Sequence, residues 1–292
     1  MKGTGVASHS RFSTMHHVQP PPLASVEWVR PLAPQPGIAL VVFDFDGTLS
    51  WLRHGWPGIM LRLFQRHFPV REGESSAETD ALLADAILRL NGKPTIFQMI
   101  RFAEMAAERG AVELDPEALR AEYQRELDEA IARRSARIES GTARPDEYVV
   151  HGARSLLEHL VARRTAAYVL SSTVEERVRE EAALLQLAPL LGDRIVGSTG
   201  DARQFSKRAV FERWLREAGR EGDALLSFGD GPVEIADTKA LGGIAVAVCS
   251  DENDNGSGRC DPEKRRQLIA AGADVVIPDF RDAVALVNYL LT

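Results

Sequence analysis

The rest of this chain is arranged around the sequence Val41-Val42-Phe43-Asp44-Phe45-Asp46-Gly47-Thr48-Leu49. Its first residues continue an apolar, largely β-branched run from Ile38, which predicts a buried strand. Asp44 and Asp46 come where that strand ends, and Gly47 allows the backbone to turn there. Because ligands bind at the carboxyl ends of strands in open α/β sheets, these acids predict a site for a hard cation and a carboxylate nucleophile. Taken alone, the same two acids would as often be a helix cap and a turn residue.

Composition narrows the class of protein. With 292 residues, of which 45% are hydrophobic and 26% charged, the chain has core for one large domain or two modest ones. A net charge of −7 argues against non-specific binding of nucleic acid. Two cysteines, Cys249 and Cys260, make neither a disulfide framework nor a metal motif, which favours a reducing compartment. The sequence shows no secretory leader and no bilayer-spanning stretch, so we expect a cytoplasmic protein without a membrane partner.

The periodicity of apolar residues divides the chain into three parts. Residues 1–37 are rich in proline, and we expect a flexible N-terminal tail, with Val26 to Val29 laid against the body. Residues 51–147 have helical periodicity and no convincing strand, which predicts an all-helical unit. Residues 38–50 and 148–292 alternate between strands and helices, as in a parallel sheet covered on both faces. The predicted fold class is therefore α/β, a Rossmann-like core interrupted by a helical cap.

Two further junctions between strand and helix carry polar residues. Ser171 follows the apolar run Tyr168-Val169-Leu170 and precedes a helix, where a hydroxyl and free backbone N–H groups can hold an oxyanion or a phosphate. An ordinary helix cap is the alternative for Ser171. Asp230 follows the strand-like run Leu226-Ser227-Phe228-Gly229, with Glu234 four residues later. Each of these junctions is expected at the same edge of the sheet as Asp44.

Lys207 is a candidate of a different kind. It stands at the start of a predicted helix, where the helix dipole disfavours a positive charge. A residue that breaks a local rule is a candidate for function, and the alternative is a solvated surface lysine.

These segments together resemble the four motifs of the haloacid dehalogenase superfamily, from about residue 38 to the C-terminus. D-x-D-G-T at Asp44 is similar to the first motif, and Ser171, Lys207 and Asp230 match the second, third and fourth. The motifs occur in family order on successive strand–helix junctions. The resemblance implies an aspartate-nucleophile hydrolase in which the long interval between Asp44 and Ser171 holds a helical cap that closes over a small substrate.

The resemblance also implies roles for the motif residues. Asp44 would attack phosphorus to form an aspartyl-phosphate, and Asp46 would act as general acid and base. Mg²⁺ would be held by the carboxylates of Asp44 and Asp230 and by the backbone carbonyl of Asp46, with Lys207 and Ser171 offsetting phosphoryl charge. Because dehalogenases of the family lack an acid at the position of Asp46, its presence favours a phosphatase acting on a small phosphorylated metabolite, such as a sugar phosphate or a nucleotide.

Several assignments stay open in the sequence. Glu234 stands where the family usually has Asp, and it either reaches the metal shell or pairs with Lys207. We expect substrate contacts from Thr48, Arg53, Lys93 and Ser172, although Arg53 and Lys93 are as easily surface charges. The rival functions are a phosphosugar mutase of the same superfamily and a binding module without turnover. The oligomeric state is not indicated.

Overall fold

The centre of the molecule is a seven-stranded sheet. The computed structural model describes residues 20–91, 93–198 and 205–292. The strands are β1 (Glu27–Trp28), β2 (Leu40–Phe43), β3 (Ala167–Val174), β4 (Ile195–Ser198), β5 (Leu225–Gly229), β6 (Ile244–Val248) and β7 (Val275–Ile277). Their order is β1-β7-β6-β5-β2-β3-β4, with β1 antiparallel and the other pairs parallel. The predicted α/β class with a Rossmann-like parallel sheet is confirmed.

Strand β2 lies in the middle of the parallel part. All four of its residues are buried, as expected for a strand covered by helices on both faces. Phe43 pairs with Val169 of β3 on one side and with Phe228 of β5 on the other. The carboxyl ends of these three strands therefore lie side by side, and the polar residues that follow each of them share one edge of the sheet.

The helices that follow β2 directly form a layer of their own. They are α1 (Trp56–His67), α2 (Ser76–Arg89), α3 (Ile96–Ala107) and α4 (Pro116–Glu139), and we call them the helical insert. Their shared apolar cluster includes Phe64 and Phe102, whose rings stack with centroids 3.9 Å apart. Helix α4 begins where Asp115 accepts a hydrogen bond from the Glu117 N–H, with Pro116 in the first turn. The domain boundaries themselves stay a prediction.

The remaining helices cover the sheet. They are α5 (Ala153–Ala162), α6 (Glu175–Leu184), α7 (Ala188–Leu191), α8 (Lys207–Glu217), α9 (Pro232–Leu241), α10 (Pro262–Ala270) and α11 (Ala283–Leu290). Short 3₁₀ turns lie at Pro145–Tyr148 and Gly222–Ala224. Among the described helices, none combines the length and the apolar character needed to cross a membrane.

The flexible tail expected over residues 1–37 stays a prediction, and the structure describes its second half. Residues 1–19 lie outside the described part of the chain. Strand β1 pairs with β7 and covers that edge of the sheet, and Glu27 accepts hydrogen bonds from Arg265. Trp28 packs edge-on against Tyr289, with ring centroids 5.6 Å apart. This agrees with the expectation that Val26 to Val29 lie against the body, although a two-residue edge strand and a single aromatic contact leave almost no periodic pattern in the sequence.

Candidate active site

A cavity of about 680 Å³ opens at the carboxyl ends of β2, β3 and β5. The sheet side of its lining contains most of the residues singled out in the sequence: Asp44, Asp46, Arg53, Ser171, Ser172, Lys207 and Asp230. The helical insert supplies the opposite wall, with Lys93, Arg120, Tyr123 and Gln124 among its residues. The cavity therefore lies between the two layers of the molecule, where an insert that covers the sheet edge can exclude water.

Lys207 binds the carboxylate of Asp44. Its ammonium lies 2.5 Å from Asp44 Oδ1 and 3.4 Å from Glu234 Oε2, and its side chain is 3% exposed. Burial raises the pKa of Asp44 to about 7, although the positive charge of Lys207 opposes this. Burial would lower the pKa of Lys207, but the neighbouring carboxylates of Asp44 and Glu234 outweigh it, and the pKa of Lys207 is raised. Lys207 is therefore held as a cation against the predicted nucleophile.

Three carboxylates converge beside this pair. Oxygens of Asp44, Asp230 and Glu234 all lie within 4.8 Å of one another. Burial raises the pKa of Asp230 to about 7, and the charge of Lys264 opposes it. Carboxylate oxygens are hard ligands, and here several of them are buried close together. Such a set of ligands fits a hard divalent cation. The donor chemistry of the site thus agrees with a metal ion bound here.

Gly47 brings the first loop against this cluster. Its φ of +77° lies in the left-handed region, and a Cβ at this position would lie 2.7 Å from the carboxylate carbon of Asp230. The glycine therefore serves both the turn after β2 and the close approach of the loop to Asp230.

Glu234 has contacts of two kinds. It lies in the first turn of α9, where its Oε1 accepts a hydrogen bond from the Gly231 N–H at 2.7 Å. Its Oε2 faces Lys207, and the same carboxylate belongs to the acidic cluster with Asp44 and Asp230. The two roles considered in the sequence are therefore geometrically compatible.

Asp46 is held by two side chains. Its Oδ1 lies 2.7 Å from Nε of Arg53, and its Oδ2 accepts a hydrogen bond from the Thr173 hydroxyl at 2.8 Å. Nη2 of the same guanidinium lies 2.5 Å from Oε1 of Glu181 on α6. Arg53, expected to meet a substrate anion, is thus placed between two carboxylates, and its contact with substrate stays a prediction.

The remaining predicted residues divide between the cavity and the interior. Ser171 is almost fully buried and its hydroxyl accepts a hydrogen bond from the Thr173 N–H. Ser172 and the exposed Lys93 also line the cavity. Thr48 is fully buried and is not part of the cavity lining, so the structure does not bring it together with the others.

The sequence reasoning did not identify a second buried lysine. Lys264, in the first turn of α10, has a side chain 3% exposed and binds both Asp230, at 3.3 Å, and Glu252. Glu252 also accepts a hydrogen bond from the Gly55 N–H, just before α1. A lysine in a first helical turn is the feature that drew attention to Lys207, and the same rule would have found Lys264.

The loop between α2 and α3 reaches the site as well. The side-chain amide of Asn91 donates a hydrogen bond to the backbone carbonyl of Asp230 at 3.0 Å. On the outer side of the cavity, Arg177 of α6 forms an ion pair with Asp128 of α4 at 2.5 Å. The insert therefore contacts the sheet layer on both sides of the cavity.

Comparison with known proteins agrees with this arrangement. The sequence model for haloacid dehalogenase-like hydrolases matches residues 38–242. No curated protein matches the sequence.

Solved structures resemble the whole fold. A conserved haloacid dehalogenase-like protein of unknown function from Agrobacterium tumefaciens is 18% identical, with a TM-score of 0.59 over 86% of this chain and 98% of that one. A predicted phosphoglycolate phosphatase from Haemophilus somnus is 15% identical, with a TM-score of 0.56 and the same coverage. A candidate β-phosphoglucomutase from Thermotoga maritima is 17% identical, with a TM-score of 0.51 over 86% of this chain and 99% of that one. At these identities the likeness concerns the fold.

Proposed function

The chain belongs to the haloacid dehalogenase-like hydrolase family, and on this premise we propose that it is a Mg²⁺-dependent phosphatase that hydrolyses a small phosphomonoester. The observation that carries the proposal is the arrangement at the end of β2. There, Asp44 is bound by Lys207 and stands beside a second acid, Asp46, in a cavity large enough for a small metabolite. A dehalogenase has no need of the second acid, whereas an ester needs a proton for its leaving oxygen.

The reaction proceeds in two steps. Lys207 holds Oδ1 of Asp44, and the other carboxylate oxygen attacks phosphorus. The bond between phosphorus and the ester oxygen breaks, and Asp46 gives its proton to the departing alkoxide. Asp46 then takes a proton from water, whose oxygen attacks phosphorus and releases inorganic phosphate. Asp44 is regenerated as a carboxylate.

Charge on the transferring phosphoryl group is offset by the chain's own residues. Lys207 supplies a buried ammonium, and Ser171, in the carboxyl-terminal half of β3, lines the same cavity. The carboxylates of Asp44 and Asp230 and the backbone carbonyl of Asp46 would hold Mg²⁺, with Glu234 close to the ion. When bound, the ion neutralises charge on the phosphoryl oxygens.

Selectivity is assigned to the helical insert, which acts as a cap. Lys93 lies on the loop between α2 and α3, next to Asn91, which reaches Asp230. Arg120 of the insert and Arg177 of α6 also line the cavity, and each has an acidic partner. A polar substrate such as a sugar phosphate or a nucleotide suits this wall. Closure of the cap would exclude water during the first step.

A phosphosugar mutase is the second candidate. It would use the same acids and return the phosphoryl group to the substrate, and one of the similar structures is a candidate β-phosphoglucomutase. Analysis of the products separates the two functions, since a phosphatase releases free phosphate and a mutase yields an isomer.

The test is phosphate release from a panel of sugar phosphates, nucleotides and small esters, measured with Mg²⁺ and with EDTA. We expect release that needs Mg²⁺ and falls by at least about 1,000-fold in Asp44→Asn, because the variant lacks the nucleophile. Glu104→Gln, which changes an exposed acid of α3, serves as the control and should keep full activity. Release that survives in Asp44→Asn would overturn the proposal.

A further inference from the structure

The carboxylate of Asp46 is not placed by the strand that precedes it. Asp46 lies in the turn after β2, and its side chain is 22% exposed to the cavity. A carboxylate in a turn has several rotamers available, and proton transfer requires one of them. Something outside the turn must therefore select the orientation.

Two contacts select it, and they differ in kind. The Thr173 hydroxyl on Oδ2 is a rotor that can either donate or accept a hydrogen bond. Arg53 forms an ion pair with Oδ1 at 2.7 Å without a hydrogen bond, and Nη2 of its planar guanidinium is held by Glu181. Because the permanent positive charge of Arg53 favours a negative charge on Oδ1, that oxygen stays unprotonated, and Oδ2 is the oxygen that can exchange a proton with a substrate.

Glu181 gives this arrangement a rigid anchor. It lies on α6 of the sheet layer and is 8% exposed, as is Arg53. The single positive charge of Arg53 faces two carboxylates, so it fixes Asp46 without leaving an excess of positive charge beside it. A buried ion pair adds little net stability over apolar residues of equal size, so its effect on Asp46 is the more distinctive consequence.

We propose that Arg53, anchored by Glu181, is a positioning residue that orients the carboxylate of Asp46 for proton transfer to the leaving group. This inference rests on the phosphatase function proposed above. It assigns Arg53 a role in the chemical step, and it assigns Glu181 the role of holding Arg53 in place.

The experiment compares two esters that differ in their need for a general acid. An aryl ester, p-nitrophenyl phosphate, has a good leaving group that departs with little protonation. The alkyl phosphate that the enzyme cleaves best in the panel has a poor leaving group that needs the proton. Steady-state kcat and KM are measured on both esters for the wild type and for Arg53→Met, Arg53→Lys, Glu181→Gln and Asp46→Asn.

We expect Arg53→Met to lower kcat on the alkyl ester by at least about 10-fold, since a positioned general acid contributes about 100-fold or more. On p-nitrophenyl phosphate the loss should stay below about 3-fold, and KM should change little for either ester. Glu181→Gln should show the same selectivity in weaker form, and Arg53→Lys should recover part of the alkyl-ester rate. Arg213→Met, an exposed arginine on α8, is the matched control and should resemble the wild type.

Other outcomes overturn the inference. An equal loss on both esters would indicate a general structural effect, and a rise in KM with unchanged kcat would indicate that Arg53 binds a substrate anion. If Asp46→Asn loses the alkyl ester selectively while neither Arg53→Met nor Glu181→Gln does, the positioning role fails and the phosphatase mechanism stands. If Asp46→Asn shows no selectivity, the acid role in the proposed function itself fails. Should Arg53→Met not fold, Arg53→Lys and Glu181→Gln decide the question.

Discussion

Single residues determine how closely the acids of the candidate site approach one another and which partner each acid has. Gly47 has a positive φ, and any side chain there would enter the space of the Asp230 carboxylate. Lys207 and Arg53 each hold one oxygen of an aspartate, so that Asp44 and Asp46 are fixed by different cations. Asp44 and Asp46, which are separated by one residue in the sequence, are therefore distinguished by their partners.

Gly47→Ala tests the approach of the first loop to Asp230. A left-handed alanine costs about 1–2 kcal/mol by itself, and here the added Cβ also displaces Asp230. We expect a larger fall in the free energy of unfolding than for Gly141→Ala, together with weaker Mg²⁺ binding. Gly141 is the matched control because its φ is +72° and nothing lies within 4 Å of its would-be Cβ. Denaturant unfolding and Mg²⁺ titration give the comparison, and equal losses in the two variants would contradict it.

At the scale of elements, strands and helices contribute to the site by different rules. Asp44 and Asp230 come directly after β2 and β5, and Ser171 lies in the carboxyl-terminal half of β3. Because parallel strand ends meet at one edge, the proximity of the three residues follows from the sequence pattern. The partners on helices do not follow in this way. Glu181 reaches Arg53 from α6 and Lys264 reaches Asp230 from α10, contacts that depend on how each helix packs on the sheet. Helical periodicity predicts a buried face but not which distant residue that face meets.

Helix α10 provides a prediction of its own. Lys264 neutralises part of the charge of Asp230 and Glu252, and its ammonium competes with a cation for Asp230. In Lys264→Met both acids lose a buried partner, which should lower the free energy of unfolding without Mg²⁺ by about 3–5 kcal/mol. Binding of Mg²⁺ should become tighter, because the competing charge is gone.

Thermal unfolding at increasing Mg²⁺ concentration measures both effects of Lys264→Met. Lys239→Met on α9 is the matched control, since Lys239 pairs with the buried Asp274 away from the cavity. The control should lose stability without any change in the Mg²⁺ midpoint. A Lys264→Met variant with an unchanged or weaker Mg²⁺ midpoint would show that Lys264 does not compete for Asp230.

At the scale of the whole molecule, the sheet layer and the insert enclose the site together. The alternation of strands and helices predicted the sheet, and the long helical stretch after β2 predicted the insert, because both patterns persist over many residues. Contacts between distant segments could not be predicted from the periodicity of apolar residues. The pairing of β1 with β7, the Asn91 contact to Asp230 and the ion pair from Arg177 to Asp128 all join segments far apart in the sequence. The roles assigned to the cavity residues stay predictions until activity is measured.

The buried acids also couple the stability of the molecule to pH. In the cation-free protein the pKa values of Asp44 and Asp230 are raised from 3.8 to about 7, chiefly by burial. Between pH 3.8 and about pH 7 the folded state therefore binds more protons than the unfolded state. The free energy of unfolding falls as pH rises through this range, and the loss is complete above about pH 7. A cation binds the ionised carboxylates, and its stabilising effect should therefore be larger at pH 8 than at pH 6.

Thermal unfolding of the wild type and of Asp230→Asn at pH 6 and pH 8, in EDTA and in Mg²⁺, tests this coupling. In EDTA the Tm of the wild type should fall more between pH 6 and pH 8 than the Tm of the variant, which has one fewer raised carboxyl. The pKa of His54, which burial lowers, changes stability in the opposite direction, but it does so in both proteins and cancels from the comparison. Added Mg²⁺ should raise the wild-type Tm mainly at pH 8 and the variant's much less. If the two proteins respond alike to pH and to Mg²⁺, Asp230 does not carry a raised pKa and does not bind the ion, and the cation must be held by other carboxylates of the cavity.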